Sequence, residues 1–135
     1  MNLFAYGTLL VPEIWRAVAG RDFPSSPATL RGYAIFRVRD ADFPGIARTE
    51  SGGLVPGRVF FDLDAETVAR LDAYEDTFYE RLPVCPADER GLPVDAEAYV
   101  VPDRNRTLLS GETWTLDWFR AHAEADYRAR LFSSP

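Results

Sequence analysis

The stretch GRVFFDLDAETVARLDAYEDTFYERLPV, from Gly57 to Val84, decides the fold class. Its first part, Arg58–Leu63, is short and rich in Val and Phe, which predicts a strand. Asp64 follows as a helix N-cap, with Glu66 in the first turn, where a negative charge complements the helix dipole. Val68 and Leu71 then mark an apolar stripe on a helix running to about Glu75. Arg81–Cys85 predicts a second strand. Strand, helix and strand thus follow one another within one short stretch.

Working outward, Asn2–Tyr6 reads as a short buried strand ended by Gly7. A helix comes next: Pro12 suits its first turn, Ile14, Trp15 and Val18 form its apolar side, and Gly20 suits its C-terminal cap. Phe23–Pro27 reads as a loop and Leu30–Val38 as a strand, with Tyr33, Ile35 and Arg37 on one face. Phe43–Ile46 holds a Pro-Gly turn, and Gly52-Gly53 and Pro56-Gly57 mark further turns. Glu97–Val101 is another strand. Trp114–Leu131 reads as one amphipathic helix with Leu116, Phe119, Ala123, Tyr127 and Leu131 along a stripe. Strands clustered around few helices predict an α+β fold with a curved or barrel-like sheet. With no repeat or linker, residues 1–135 are expected to form one domain.

Bulk properties narrow the function. The formal charge is −6, and all 15 basic residues are arginine. Such a balance disfavours nucleic acid, which calls for a basic face, and an anionic membrane surface. The start has the pattern of neither a signal peptide nor a membrane span, so a cytoplasmic location is expected. The single cysteine, Cys85, excludes an intramolecular disulfide and is expected to be a buried strand residue. The single histidine, His122, falls in the C-terminal helix far in sequence from Cys85, which disfavours histidine-assisted nucleophiles and multi-histidine zinc sites. Asp88, Glu89, Asp95 and Glu97 have no metal-ligand spacing. Neither metal nor cofactor is expected.

Two places are candidates for chemistry. In Phe4-Ala5-Tyr6-Gly7-Thr8-Leu9 a glycine ends a strand before a helix, where backbone amides can point outward toward a carboxylate or oxyanion. Glu75 lies four residues after Leu71 and seven after Val68, so it shares their apolar face. A carboxylate there loses hydration, and its pKa rises toward the range a general base or acid needs. The alternative is that Glu75 sits at a fraying helix end in solvent or pairs with Arg81. Tyr74, Tyr79 and Arg81 surround this acid, as hydrogen-bond donors or as core edge and surface pairing.

Four segments together resemble the gamma-glutamylcyclotransferase-like family, in its gamma-glutamylamine branch: FAYGTL (Phe4–Leu9), FPGI (Phe43–Ile46), GRVFFDL (Gly57–Leu63) and LDAYEDTFYERLPV (Leu71–Val84). The resemblance runs from Asn2 to about Val101. It implies a small barrel-like sheet with flanking helices enclosing a cavity. It also implies that Tyr6, Gly7, Thr8 and Leu9 bind the glutamyl part of the substrate and that Glu75 is the catalytic acid/base. The implied partner is a small γ-glutamyl compound whose α-amine attacks its own side-chain carbonyl, giving 5-oxoproline and a free amine. A different class of function, a metabolite-binding module that keeps the cavity without catalysis, stands beside it. A third is a structural partner docking through the aromatic C-terminal helix.

Overall fold

Alternation along the first strand separates the two sides of the molecule, whose computed structural model describes residues 1–133. In β1 (Leu3–Ala5), Leu3 and Ala5 face a core built with helices. Phe4, with Tyr6 just beyond the strand, faces a second core that also holds Leu30, Tyr33, Ile46, Val55, Val59 and Val100.

The first turn of the chain follows expectation. Helix α1 (Pro12–Ala19) has Pro at its start, and Gly20 closes it with φ 87°. Only glycine adopts that left-handed conformation without cost. Strand β2 (Ser25–Arg31) begins inside the segment read as a loop. The strand expected over Leu30–Val38 is two strands: Gly32, with φ 86°, breaks it, and β3 (Tyr33–Arg37) leaves for another sheet.

Two Pro-Gly pairs read as turns lie instead in strands. Pro44-Gly45 opens β4 (Pro44–Arg48), where Pro44 stands opposite Arg37 at the end of the β3–β4 ladder. A first position in a strand tolerates the missing N–H. Pro56-Gly57 lies in β5 (Leu54–Phe60). On β5, β1 pairs only with Arg58–Phe60, so at Pro56 the strand has β2 as its one ladder partner among the described residues. Gly57 is a packing requirement: a Cβ there would stand 2.3 Å from the Ala5 carbonyl oxygen and 2.8 Å from the Phe4 ring.

Asp64 caps α2 (Ala65–Tyr74) as predicted, accepting from the Thr67 amide at 2.9 Å. The chain continues through β6 (Glu80–Val84), the short β7 (Ala87–Asp88) and β8 (Ala96–Val100). Cys85, expected to be buried, is exposed just past the end of β6.

The main sheet has the order β6-β8-β1-β5-β2-β7, antiparallel except where β1 runs parallel to β8. The β3–β4 ribbon packs over one side of it, tied on by the Val101 amide donating to the Ile46 carbonyl at 2.9 Å. The fold is α+β, a mostly antiparallel sheet with flanking helices.

The helix expected over Trp114–Leu131 is two helices, α3 (Leu116–His122) and α4 (Glu124–Ser133). Ala123 breaks them with φ −134° and ψ −19°, although neither proline nor glycine is present. The reason is tertiary: Phe119 packs in the core, fully buried, and Tyr127 folds back onto it. Among the described residues no helix is long and apolar enough to cross a membrane. Residues 134–135 of the expected domain lie outside the described residues.

Candidate active site

The loop after β1 builds one wall. Tyr6 is buried and donates its hydroxyl to the Tyr99 carbonyl at 2.6 Å. Thr8–Leu10 then form a 3-10 turn capped by Gly7. Amides in such a first turn have no acceptor within the turn, which makes those of Gly7, Thr8 and Leu9 candidates for an outside acceptor. Gly7 is fixed by contact, since a Cβ would meet the Pro44 ring at 2.9 and 3.1 Å. Thr8 is buried and its hydroxyl shares a 2.8 Å hydrogen bond with the Tyr74 hydroxyl. Leu9 turns into the helix-side core.

Glu75 comes from the end of α2. It is the C-cap, its amide still bonded to the Leu71 carbonyl at 3.1 Å while its backbone has turned extended. Glu75 is half-buried, lines the space beside the Tyr6–Leu9 loop and the edge of the adjoining cleft, and is not paired with Arg81. Arg81 instead binds Asp72 and, at 3.2 Å, Glu97. Among the described residues no side-chain hydrogen bond or ion pair reaches Glu75. Its pKa is pushed up to about 8, first by burial and then by the negative charges of Asp76 and Asp72. Asp72 shows the contrast. Partial burial acts to raise its pKa, but hydrogen bonds from Arg81 and Tyr99 outweigh that and hold it low.

These pieces meet around a cavity of about 60 Å³, lined by Tyr6–Leu9, Phe43, Pro44, Tyr74, Glu75, Asp76, Tyr79, Tyr99 and Tyr127, together with Leu3–Ala5. A site for one water needs roughly 10–15 Å³ by the same measure, so a small polar group fits. All the residues singled out at Tyr6–Leu9 and Glu75 are in this one place, and Tyr74 and Tyr79 join them. Arg81 lies outside, in the adjoining cleft with Asp72.

Burial raises the pKa of Tyr6, Tyr74, Tyr79, Tyr99 and Tyr127, so the tyrosines stay neutral. Tyr79 donates to the Pro44 carbonyl at 2.5 Å. Tyr99 and Tyr127 escaped the reading of the sequence. Tyr99 sits in a predicted strand, where alternation alone does not show which face borders a cavity. Tyr127 lay on the helical stripe and read as core. His122 is exposed against Trp118 and lines none of this cavity. Among the described residues no cluster of three or more His, Cys, Asp or Glu is arranged to hold a metal.

Comparison with known proteins bears on the family and the fold. Protein AIG2 C of Arabidopsis thaliana is 28% identical over 124 residues, covering 91% of this chain and 74% of the relative. An Arabidopsis thaliana protein of known solution structure superposes with TM-score 0.73 at 25% identity, covering 99% of this chain and 93% of its own. A yeast gamma-glutamyl cyclotransferase specific to glutathione shares the fold, with TM-score 0.64 at 12% identity over 100% of this chain and 88% of its own. The family model described as "Gamma-glutamyl cyclotransferase, AIG2-like" matches residues 3–116. Most of the chain, including every strand and the loop and glutamate of the cavity, lies within that match, and the chain belongs to the gamma-glutamyl cyclotransferase, AIG2-like family.

Proposed function

We propose that the protein is a γ-glutamyl cyclotransferase that releases 5-oxoproline from a small γ-glutamyl compound, with Glu75 as general acid and base. One observation carries the reading: a largely desolvated carboxyl, with no donor side chain among the described residues, lines a cavity beside the Tyr6–Leu9 loop. The α-ammonium of a glutamyl group supplies the missing donor. A peptide α-amino group titrates at about 8; the free α-carboxylate beside this one holds it higher, so the raised pKa of Glu75 narrows the gap that a proton must cross.

The glutamyl chain bends until its α-nitrogen lies near its γ-carbonyl carbon, a proximity effect that removes much of the barrier. The Glu75 carboxylate takes a proton from the α-ammonium, and the freed lone pair forms the N–C bond of the five-membered ring. The amides of Gly7, Thr8 and Leu9 meet the negative charge that develops on the carbonyl oxygen. Glu75 returns its proton to the leaving nitrogen as the C–N bond breaks. A second proton follows the same route when the ring nitrogen loses its surplus hydrogen. Both protons shed by the α-ammonium end on the departing amine, and no water is consumed.

The test is to mix the purified protein and its Glu75→Gln variant with a panel of γ-glutamyl amino acids and γ-glutamyl amines, reading 5-oxoproline by mass spectrometry. Release by the wild type and at least about 100-fold less by the variant is expected, the size of a general acid–base contribution. Equal release by both proteins removes Glu75 from the mechanism. No release from any member, with ligands still bound, favours a binding module.

A further inference from the structure

One residue lining the cavity lies beyond the span matched by the family model: Tyr127 of α4. A straight helix would not deliver it. Phe119 and Tyr127 are eight positions apart, about 12 Å along a continuous helix. Their rings nevertheless meet edge to face with centroids 5.4 Å apart. The break at Ala123 folds α4 back and brings the Tyr127 hydroxyl onto that of Tyr74, which in turn bonds Thr8.

The row Thr8–Tyr74–Tyr127 has a definite proton count. Three hydroxyls carry three protons; two hydrogen bonds join them in a row and Thr8 also acts on the Tyr127 hydroxyl, so one O–H at most can swing out to a ligand acceptor. Among the described residues none of the three has a further side-chain partner, and all three line the cavity. Burial raises the pKa of Tyr74 and Tyr127, which keeps the row neutral and the donor in place. Among the described residues, the ionisable groups lining the cavity besides the tyrosines are the acids Glu75 and Asp76. The ammonium of a ligand therefore belongs at Glu75, and its strongest acceptor belongs at the hydroxyl row.

We propose that Tyr127 is a positioning residue for ligand recognition: through Tyr74 it fixes the Thr8 hydroxyl and turns the spare O–H of the row toward a ligand carboxylate. Under the cyclotransferase reading, on which this assignment rests, that group is the α-carboxylate of the glutamyl moiety. Tyr74 and Thr8 then act as one unit with a residue of the C-terminal helix, and the break at Ala123 is part of the binding site.

The experiment compares wild type with Tyr127→Phe, which keeps the ring and its contact with Phe119. Two ligands that cannot turn over are titrated by calorimetry: 5-oxoproline, which retains the carboxylate, and 5-oxoprolinamide, which does not. Melting temperature and 5-oxoproline release from the γ-glutamyl panel are measured on the same preparations. A Kd for 5-oxoproline at least about ten-fold weaker in the variant, with little change for the carboxamide, supports the assignment; ten-fold is the size of a hydrogen bond to a charged group. Equal losses for both ligands reduce Tyr127 to a structural role and overturn it, as does an unchanged Kd or a wild type that binds neither ligand. A selective loss in a protein that releases no 5-oxoproline keeps the carboxylate site and removes the reaction. Release by wild type without a selective loss does the reverse.

Discussion

Replacing Glu75 with glutamine should make the fold more stable at neutral pH, and the pH dependence of that gain is its signature. The carboxyl moves from 4.5 to about 8 on folding because burial and the charges of Asp76 and Asp72 penalise its ionised form. Each tenfold change in proton affinity is about 1.4 kcal/mol. The raised pKa therefore costs the fold about 5 kcal/mol above pH 8, where native Glu75 ionises, and about 3 kcal/mol at pH 7, where the native state keeps it mostly protonated. Between 4.5 and about 8 the native state holds more protons than the unfolded chain, so stability falls as pH rises through this window. Glutamine has the same shape and never ionises. Urea unfolding of both proteins from about pH 4 to about pH 9 gives the difference directly. Relative to the variant, the wild type should be at its best near pH 4, lose up to about 1.4 kcal/mol per pH unit in the window, and level off above it. A flat difference curve would mean that Glu75 is hydrated in the native state. A difference that grows in the wild type's favour with pH would mean a hidden cation beside it. Either result refutes the desolvation argument on which the acid/base role depends.

Two further expectations concern the surroundings of Glu75. Gly7→Ala places a methyl 2.9 Å from Cγ of Pro44, a ring held at the start of β4, so the loop must shift; a loss of about 1–3 kcal/mol in urea unfolding and weaker binding of 5-oxoproline are expected, and wild-type stability would show that the loop moves freely. Asp76→Asn removes the first of the two charges that raise the Glu75 pKa; an NMR titration of the Glu75 carboxyl should then find its midpoint at lower pH but still well above an ordinary glutamate, since burial is the larger cause, and an unchanged midpoint would remove Asp76 from the electrostatics of the site.

What the sequence revealed depended on how local each signal was. The α2 cap at Asp64, the glycine ending α1 and the placement of Glu75 after Leu71 follow from interactions within a few residues, and all are found. The Pro-Gly pairs misled because their usual meaning is a turn, whereas Gly57 answers to the Ala5 carbonyl and Phe4 ring of another strand. Periodicity gave one continuous C-terminal helix because Leu116, Phe119, Ala123, Tyr127 and Leu131 fit a stripe. No residue there breaks a helix on its own account, and the bend at Ala123 exists only once Phe119 has a core to enter and Tyr127 a partner in Tyr74. The glutamate and its loop were therefore legible, and the far wall of the cavity was not.

The pairing of Arg81 explains why Glu75 is left with a raised pKa in a chain that carries 15 arginines. On sequence distance Arg81 is the natural partner of Glu75. β6 aims it the other way: Arg81 stands opposite Tyr99 on β8, with Glu97 within reach on the same strand, and its guanidinium closes on Glu97 and on Asp72 one helical turn before Glu75. The hydroxyls near Glu75 are committed as well. Tyr6 and Tyr79 donate to the carbonyls of Tyr99 and Pro44, Tyr99 donates to Asp72, and Tyr74 is engaged with Thr8 and Tyr127. A carboxyl among so many potential donors would ordinarily be held well below neutrality by hydrogen bonds to its charged form. Here Tyr6, Tyr79 and Tyr99 each have another acceptor, the Thr8–Tyr74–Tyr127 row sends no hydrogen bond to Glu75, and burial acts on the carboxyl almost unopposed. Arg81→Ala therefore should leave Glu75 without a lost partner while freeing Asp72 and Glu97, and its damage should appear in the β6–β8 edge before it appears in the proton affinity of the cavity.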